Sequence, residues 1–126
     1  MSQDIKYLEL ENGKKYPFIY TLNVIEDIQN KYGSIEKWSN QVERKDGEPD
    51  IGALKYFFMI AINEGIDIEN EDKKDEDKVA FVTDKQVGRI ISEIGLKAMT
   101  EKLTEAVVDA SATDNTESLT GDTEKN

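Results

Sequence analysis

Only one stretch of this chain is apolar enough to sit at the centre of a fold, Ile51 to Ile62. Within it Ile51, Leu54, Phe57, Phe58, Ala61 and Ile62 recur at helical spacing. Asp50 is placed to cap the start of that helix and Gly65 to end it. A small chain with one such helix must arrange its other elements around it. Five consecutive large residues, Tyr56, Phe57, Phe58, Met59 and Ile60, cannot all face one side of a helix that turns ~100° per residue. Some must point into another layer or into solvent, and an outward apolar remainder marks an interaction surface. Trp38, Tyr56, Phe57, Phe58 and Met59 are therefore the candidate partner-binding residues.

The flanking sequence supplies the elements to wrap that helix. Ile5 to Leu10 alternates in part, as a half-buried strand does. Asn12-Gly13 is a strong two-residue hairpin signal, because both residue types tolerate positive φ, and Tyr16 to Tyr20 is the return strand. Pro17 lacks a donor and places that strand at an edge. Thr21 is placed to cap a helix with Leu22, Ile25, Ile28 and Tyr32 on one face, and Gly33 to close it. Ser34 opens a shorter helix with Ile35, Trp38 and Val42 inside. Glu43 to Pro49 is a polar loop, and Asp67 to Lys78 a charge-dense one. Val79 to Val82 is a short apolar lead-in to a capping box, Thr83 with Gln86. Helical spacing then runs through Val87, Ile90, Ile91 and Ile94, with Gly95 a break or a tolerated interior residue, and on from Leu96 to about Val108.

The fold class that follows is α+β and mostly helical: an N-terminal β-hairpin and four to five helices in one small domain, residues 1–108. Residues 109–126 form a disordered acidic tail, with Leu119 their one large apolar side chain.

Composition narrows the function. The chain has 27 acidic and 16 basic residues, a net charge of −11. Such a surface repels phosphate backbones and anionic lipid, which argues against nucleic acid or membrane as a partner. The absence of cysteine excludes disulfides and thiolate zinc sites. The absence of histidine removes the commonest general base near neutral pH. Read as a calcium loop from Asp67, the acidic stretch puts Asp72 where glycine is needed and Lys78 where glutamate is needed, so the register fails. No phosphate-binding glycine pattern and no poised nucleophile appears. The expectation is a cytoplasmic, non-catalytic protein with no metal and no cofactor.

The Asn12-Gly13 turn, the strand Tyr16-Pro17-Phe18-Ile19-Tyr20, the helix Leu22 to Tyr32 closing on Gly33, the Ser34-Ile35-Glu36 start of the next helix, and the apolar helix ending in Asn63-Glu64-Gly65 occur in an order that resembles one family. The chain is similar, over about Ile5 to Val108, to the tail assembly chaperones of long-tailed bacteriophages and prophages of Gram-positive hosts. The charged insertions at Glu43–Pro49 and Asp67–Lys78 depart from that family's compact pattern. The resemblance implies a chaperone that binds the tape measure protein and keeps it soluble while the tail tube polymerises. The tail-tube protein is then a second partner, and self-association through the third helix is expected. Such a protein works in the cytoplasm of the bacterial host and is absent from the mature virion. The family often makes a second, −1 frameshifted product. Glu124-Lys125-Asn126 can be encoded GAA AAA AAC, which holds a slippery heptamer in the right frame. The alternative reading is a small structural tail or head–tail joining protein of the virion. An acidic mimic of DNA is a third, disfavoured because the densest acids lie in a loop and a tail rather than along a rigid element.

Overall fold

The structure, a computed structural model, describes residues 5–43 and 48–111, the last three as backbone only. Of the tail expected over 109–126, residues 109–111 instead continue the last helix, and 112–126 lie outside the described residues, as does the middle of the polar stretch Glu43–Pro49. Two strands, β1 (Lys6–Glu9) and β2 (Lys15–Phe18), precede five helices: α1 (Leu22–Tyr32), α2 (Ile35–Val42), α3 (Ile51–Asn70), α4 (Asp84–Ile94) and α5 (Leu96–Ser111). A single 3-10 turn, Asp75–Asp77, lies between α3 and α4. This is the expected α+β architecture, hairpin first and helices after.

The strands pair antiparallel, Lys6 opposite Phe18 and Glu9 opposite Lys15. Their connection differs from the expected two-residue turn. Gly13 N–H donates to the Leu10 carbonyl at 2.9 Å and Leu10 N–H to the Lys14 carbonyl at 2.8 Å, so Glu11, Asn12 and Gly13 form a three-residue loop. Only Gly13 has positive φ, at 89°, the position a type I turn with a bulge reserves for glycine. Asn12 instead accepts the Lys14 N–H on its side chain at 2.9 Å. Counting pairs from Leu10–Lys14, Tyr7–Pro17 is a non-hydrogen-bonded pair, so the N–H that proline lacks would point out of the sheet.

That outer edge of β2 lies against α3. Ile19 N–H donates to the Ala61 carbonyl at 3.2 Å. A methyl group added at Gly65 would stand 3.0 Å from the carbonyl carbon of Pro17 and 3.2 Å from the Phe18 nitrogen. Gly65 is therefore not the end of the helix. It is an interior residue that lets backbone meet backbone, and α3 continues to Asn70. The expected loop from Asp67 correspondingly starts later, after the helix ends.

The buried positions of α3 come in doublets four residues apart: Ala53-Leu54, Phe57-Phe58, Ala61-Ile62 and Gly65-Ile66. Four residues turn the helix about 400°, so each doublet is advanced about 40° on the last. The stripe winds around the helix and meets several neighbours in turn. Phe57 stacks on Trp38 of α2 with ring centroids 5.4 Å apart, and packs on Tyr20 at 5.7 Å. Phe58 meets Phe18 of β2 edge-on at 5.8 Å. The indole N–H of Trp38 donates to the Ala53 carbonyl at 3.1 Å, so this ring is buried with its donor satisfied. Val87, Ile90 and Ile91 of α4 and Met99, Leu103 and Ala106 of α5 complete the core.

Local signals placed most helix ends. Ser34 accepts from the Lys37 N–H at 3.0 Å, and Asp50 from the Ala53 N–H at 3.1 Å. Thr83 and Gln86 form the reciprocal capping box. Gly33 (φ 98°) closes α1, and Gly95 (φ 101°) separates α4 from α5. Thr21 stands at the head of α1 but does not cap it with its side chain. Its hydroxyl donates to Glu64 of α3 at 2.7 Å, and Asn23 donates to the same carboxylate oxygen at 3.0 Å. The carboxylate thus sits at the positive end of α1, where a negative charge is favoured. The buried face of α1 is also rotated from the expected one. Val24 and Ile28 are buried, Ile25 and Tyr32 half-buried, while Leu22, about 120° around the helix from Ile28, is exposed.

Two of the glycines inside helices, Gly65 and Gly88, should respond to alanine with opposite signs. Gly65→Ala gains ~1 kcal/mol of helix propensity but forces a methyl into backbone, an overpacking cost of roughly 1–3 kcal/mol. Gly88→Ala meets only the flexible Lys55 side chain, at 3.4 Å. Urea unfolding should show a net loss for the first variant and a gain of about 0.5–1 kcal/mol for the second. A second expectation concerns pH. Burial raises the Tyr20, Tyr32 and Tyr56 phenols above their ordinary range. The folded state therefore holds these protons longer than the unfolded chain, and stability should fall as pH rises past the normal tyrosine range. Tyr20→Phe should flatten that alkaline decline, measured by urea unfolding across the same pH series.

Candidate functional site

The five residues expected to bind a partner do not form one surface. Trp38, Phe57 and Phe58 are inside the core, exposed by 3%, 0% and 0%. The correction has a physical cause: the winding stripe of α3 gives its surplus large side chains to different layers, so other elements cover what one face cannot. Tyr56 and Met59 are half-buried and pack against the core. Tyr56 also meets Tyr32 edge-on at 5.8 Å, with the Lys31 ammonium 4.9 Å from its ring centre.

Exposed apolar side chains gather elsewhere. Tyr7, Val79 and Phe81 are exposed by 45%, 50% and 56%, and all three line one groove of about 510 Å³. Its walls are the hairpin, the C-terminal half of α3 and the extended segment from Lys78 to Val82. Pro17 and Ile66 also contribute to the lining. Lys14, Lys15, Lys73 and Glu69 are its charged residues.

The extended wall is built by two asparagines of α3. Asn63 donates to the Val82 carbonyl at 3.1 Å and accepts the Val82 N–H at 2.8 Å. Asn70 does the same for Val79, with both distances 3.0 Å. Each carboxamide thus acts as a strand neighbour would, donating once and accepting once. Seven residues of α-helix rise about 10.5 Å, and three residues of polyproline II about 9 Å, so the two spacings match. Lys78, at φ −69° and ψ 142°, has polyproline II geometry. The clamp holds the backbone of Val79 and of Val82; the Val82 side chain is buried, while Val79, Ala80 and Phe81 are exposed. Among the described residues, the backbone groups of Ala80 and Phe81 make no hydrogen bond.

On the opposite wall the Tyr7 hydroxyl donates to the Glu69 carboxylate, tying the hairpin to the last turns of α3. That bond raises the Tyr7 phenol above its ordinary range, with lost hydration and the Glu69 charge adding to the effect. Tyr7 thus remains a neutral donor at physiological pH. Lys14 lies over the Tyr16 ring, 5.1 Å from its centre. Among the described residues no group of three or more acidic side chains is gathered to hold a metal, and no helix is long and apolar enough to cross a membrane.

The groove was missed in the sequence because its parts are far apart in the chain. One signal was available: Asn63 and Asn70 lie two helical turns apart, on the same side of the helix as the following extended segment must pass. No protein family, curated protein or solved structure matches this chain.

The asparagine clamp gives a direct expectation. Asn63→Ala removes two hydrogen bonds, each worth ~1 kcal/mol net, and should lower stability by about 1–3 kcal/mol. The amide proton of Val82 should exchange faster in this variant, whereas that of Val79, held by Asn70, should change less. Hydrogen exchange followed by NMR reads both.

Proposed function

We propose that this chain is a tail assembly chaperone of a long-tailed phage or prophage, a non-catalytic protein that binds the tape measure protein and holds it in solution until the tail tube forms around it. One observation carries the reading: the order of its elements. A short hairpin leads directly through Tyr20 and Thr21 into α1, α1 closes on Gly33, a short α2 follows, and a long apolar α3 forms the centre. This is the order on which the resemblance to that family rests. Two further features suit the task. A net charge of −11 keeps many copies apart and in solution. The groove at Tyr7, Val79 and Phe81 offers apolar side chains to an apolar client without exposing the core. The cell compartment that follows is the host cytoplasm, and the tail-tube protein is a second partner.

Co-expression with the tape measure protein of the same phage tests this. The expected result is a shift of the tape measure protein from the insoluble to the soluble fraction, and co-elution of the two in size-exclusion chromatography. Washed virions should lack the chain by mass spectrometry. A tape measure protein that stays insoluble would overturn the proposal. Recovery of the chain from washed particles in fixed stoichiometry would instead make it a structural tail or head–tail joining protein.

A further inference from the structure

We infer that the groove between the hairpin, α3 and the 78–82 segment receives an extended partner peptide whose apolar side chains are flanked by carboxylates. The inference names the groove's occupant and rests on the groove alone, not on the identity of the client.

Charge is the first ground. The chain carries 27 acidic and 16 basic residues, yet the groove reverses the balance, with Lys14, Lys15 and Lys73 against the single carboxylate Glu69. That carboxylate is already engaged by the Tyr7 hydroxyl. Among the described residues neither Lys15 nor Lys73 forms an ion pair, although acidic side chains are the commoner kind on this chain. Three ammonium groups around an apolar cleft are complementary to a segment with acids on either side of an apolar centre.

Shape and backbone supply the second ground. A volume of about 510 Å³ admits a few apolar side chains. Tyr7, Val79 and Phe81 present their side chains to it from two walls. Along one wall, the N–H and C=O groups of Ala80 and Phe81 have no partner among the described residues. An extended peptide laid beside them would pair with those groups, as an added strand does, while its side chains enter the cleft. The clamp by Asn63 and Asn70 holds the wall in the extended form that such pairing needs.

The test is an NMR titration of the full, isotopically labelled chain with two octapeptides. Both have a Leu-Ile-Phe-Val centre; one is flanked by two acidic residues on each side, the other by two lysines. The acidic peptide should shift the amides of Tyr7, Val79 and Phe81 saturably and bind at least about tenfold more tightly than the basic one, with affinity falling as salt is raised. Replacing both lysines, Lys15→Glu with Lys73→Glu, should weaken the acidic peptide about tenfold or more, while Lys97→Glu on α5 should leave it unchanged. Circular dichroism checks that the variants fold, and the salt dependence of the unaltered chain tests the charge argument without any variant. Absence of a saturable shift, equal binding of the two peptides, or shifts confined to other residues would overturn the inference. So would tighter saturable binding of phosphatidylglycerol vesicles or of an oligothymidylate, which would assign the lysines to phosphate. A failed titration beside a solubilised tape measure protein sinks the groove proposal alone, and the reverse pair of results sinks the chaperone reading alone.

Discussion

Backbone meets backbone where β2 crosses α3 at Ala61 and Gly65. Most other features depend on that contact. The Ile19 N–H bonds to the Ala61 carbonyl there, and Gly65 leaves no room for even a methyl group beside Pro17. A two-stranded hairpin is marginal alone in water. Here one edge of it is docked on a helix about 30 Å long, and Phe18 is carried to Phe58 as a result. Proline suits that edge because the N–H it lacks would have faced the helix unpaired. Glycine in the helix interior costs up to ~1 kcal/mol, and the close approach it permits offsets that cost.

The same helix then holds the 78–82 segment beside the hairpin by a different chemistry. In its C-terminal half apolar contact is joined by side-chain amides. Asn63 and Asn70 hold the returning chain at Val82 and Val79, as a strand would hold it. A chain pinned at two residues three apart is held extended along the helix. Val82 is buried, whereas Val79, Ala80 and Phe81 stay exposed. The exposed aromatic ring lines an apolar cleft on a molecule whose core is otherwise closed.

Much of this was legible in the chain, where signals are local. The caps at Ser34, Asp50 and the Thr83–Gln86 box depend on side chains reaching amides three residues away, and all three form as the residue types dictate. The hairpin and the order of helices were equally readable. The length of α3 was misread because glycine followed by acidic residues looks like a helix end. The period-four doublets that continue through Gly65-Ile66 pointed the other way. Whether a glycine ends a helix or admits a neighbour is decided by Pro17, nearly fifty residues earlier, and no local pattern carries that. That Trp38, Phe57 and Phe58, three of the candidate binding residues, lie in the core has a related reason. Counting angles around one helix shows that Tyr56, Phe57, Phe58, Met59 and Ile60 cannot share a face; it does not show how many neighbours surround that helix. Thr21 illustrates the same limit at smaller scale, since a residue well suited to cap α1 gives its hydroxyl to Glu64 on another helix.

Charge acts here on two length scales. The net charge of −11 governs what approaches from a distance, and by that measure the molecule repels acidic chains and phosphates alike. The Debye length at physiological salt is about 8 Å, so the field of acids on far faces is largely screened at any one site. Within the groove the nearest charges are the ammonium groups of Lys14, Lys15 and Lys73, and at contact range those decide. An acidic surface with a small basic cleft therefore discriminates by contact rather than by long-range steering. Non-specific collisions with nucleic acid and with other copies are discouraged, while a segment that seats its apolar residues brings its carboxylates close enough to be held. Such a site favours low background over fast association.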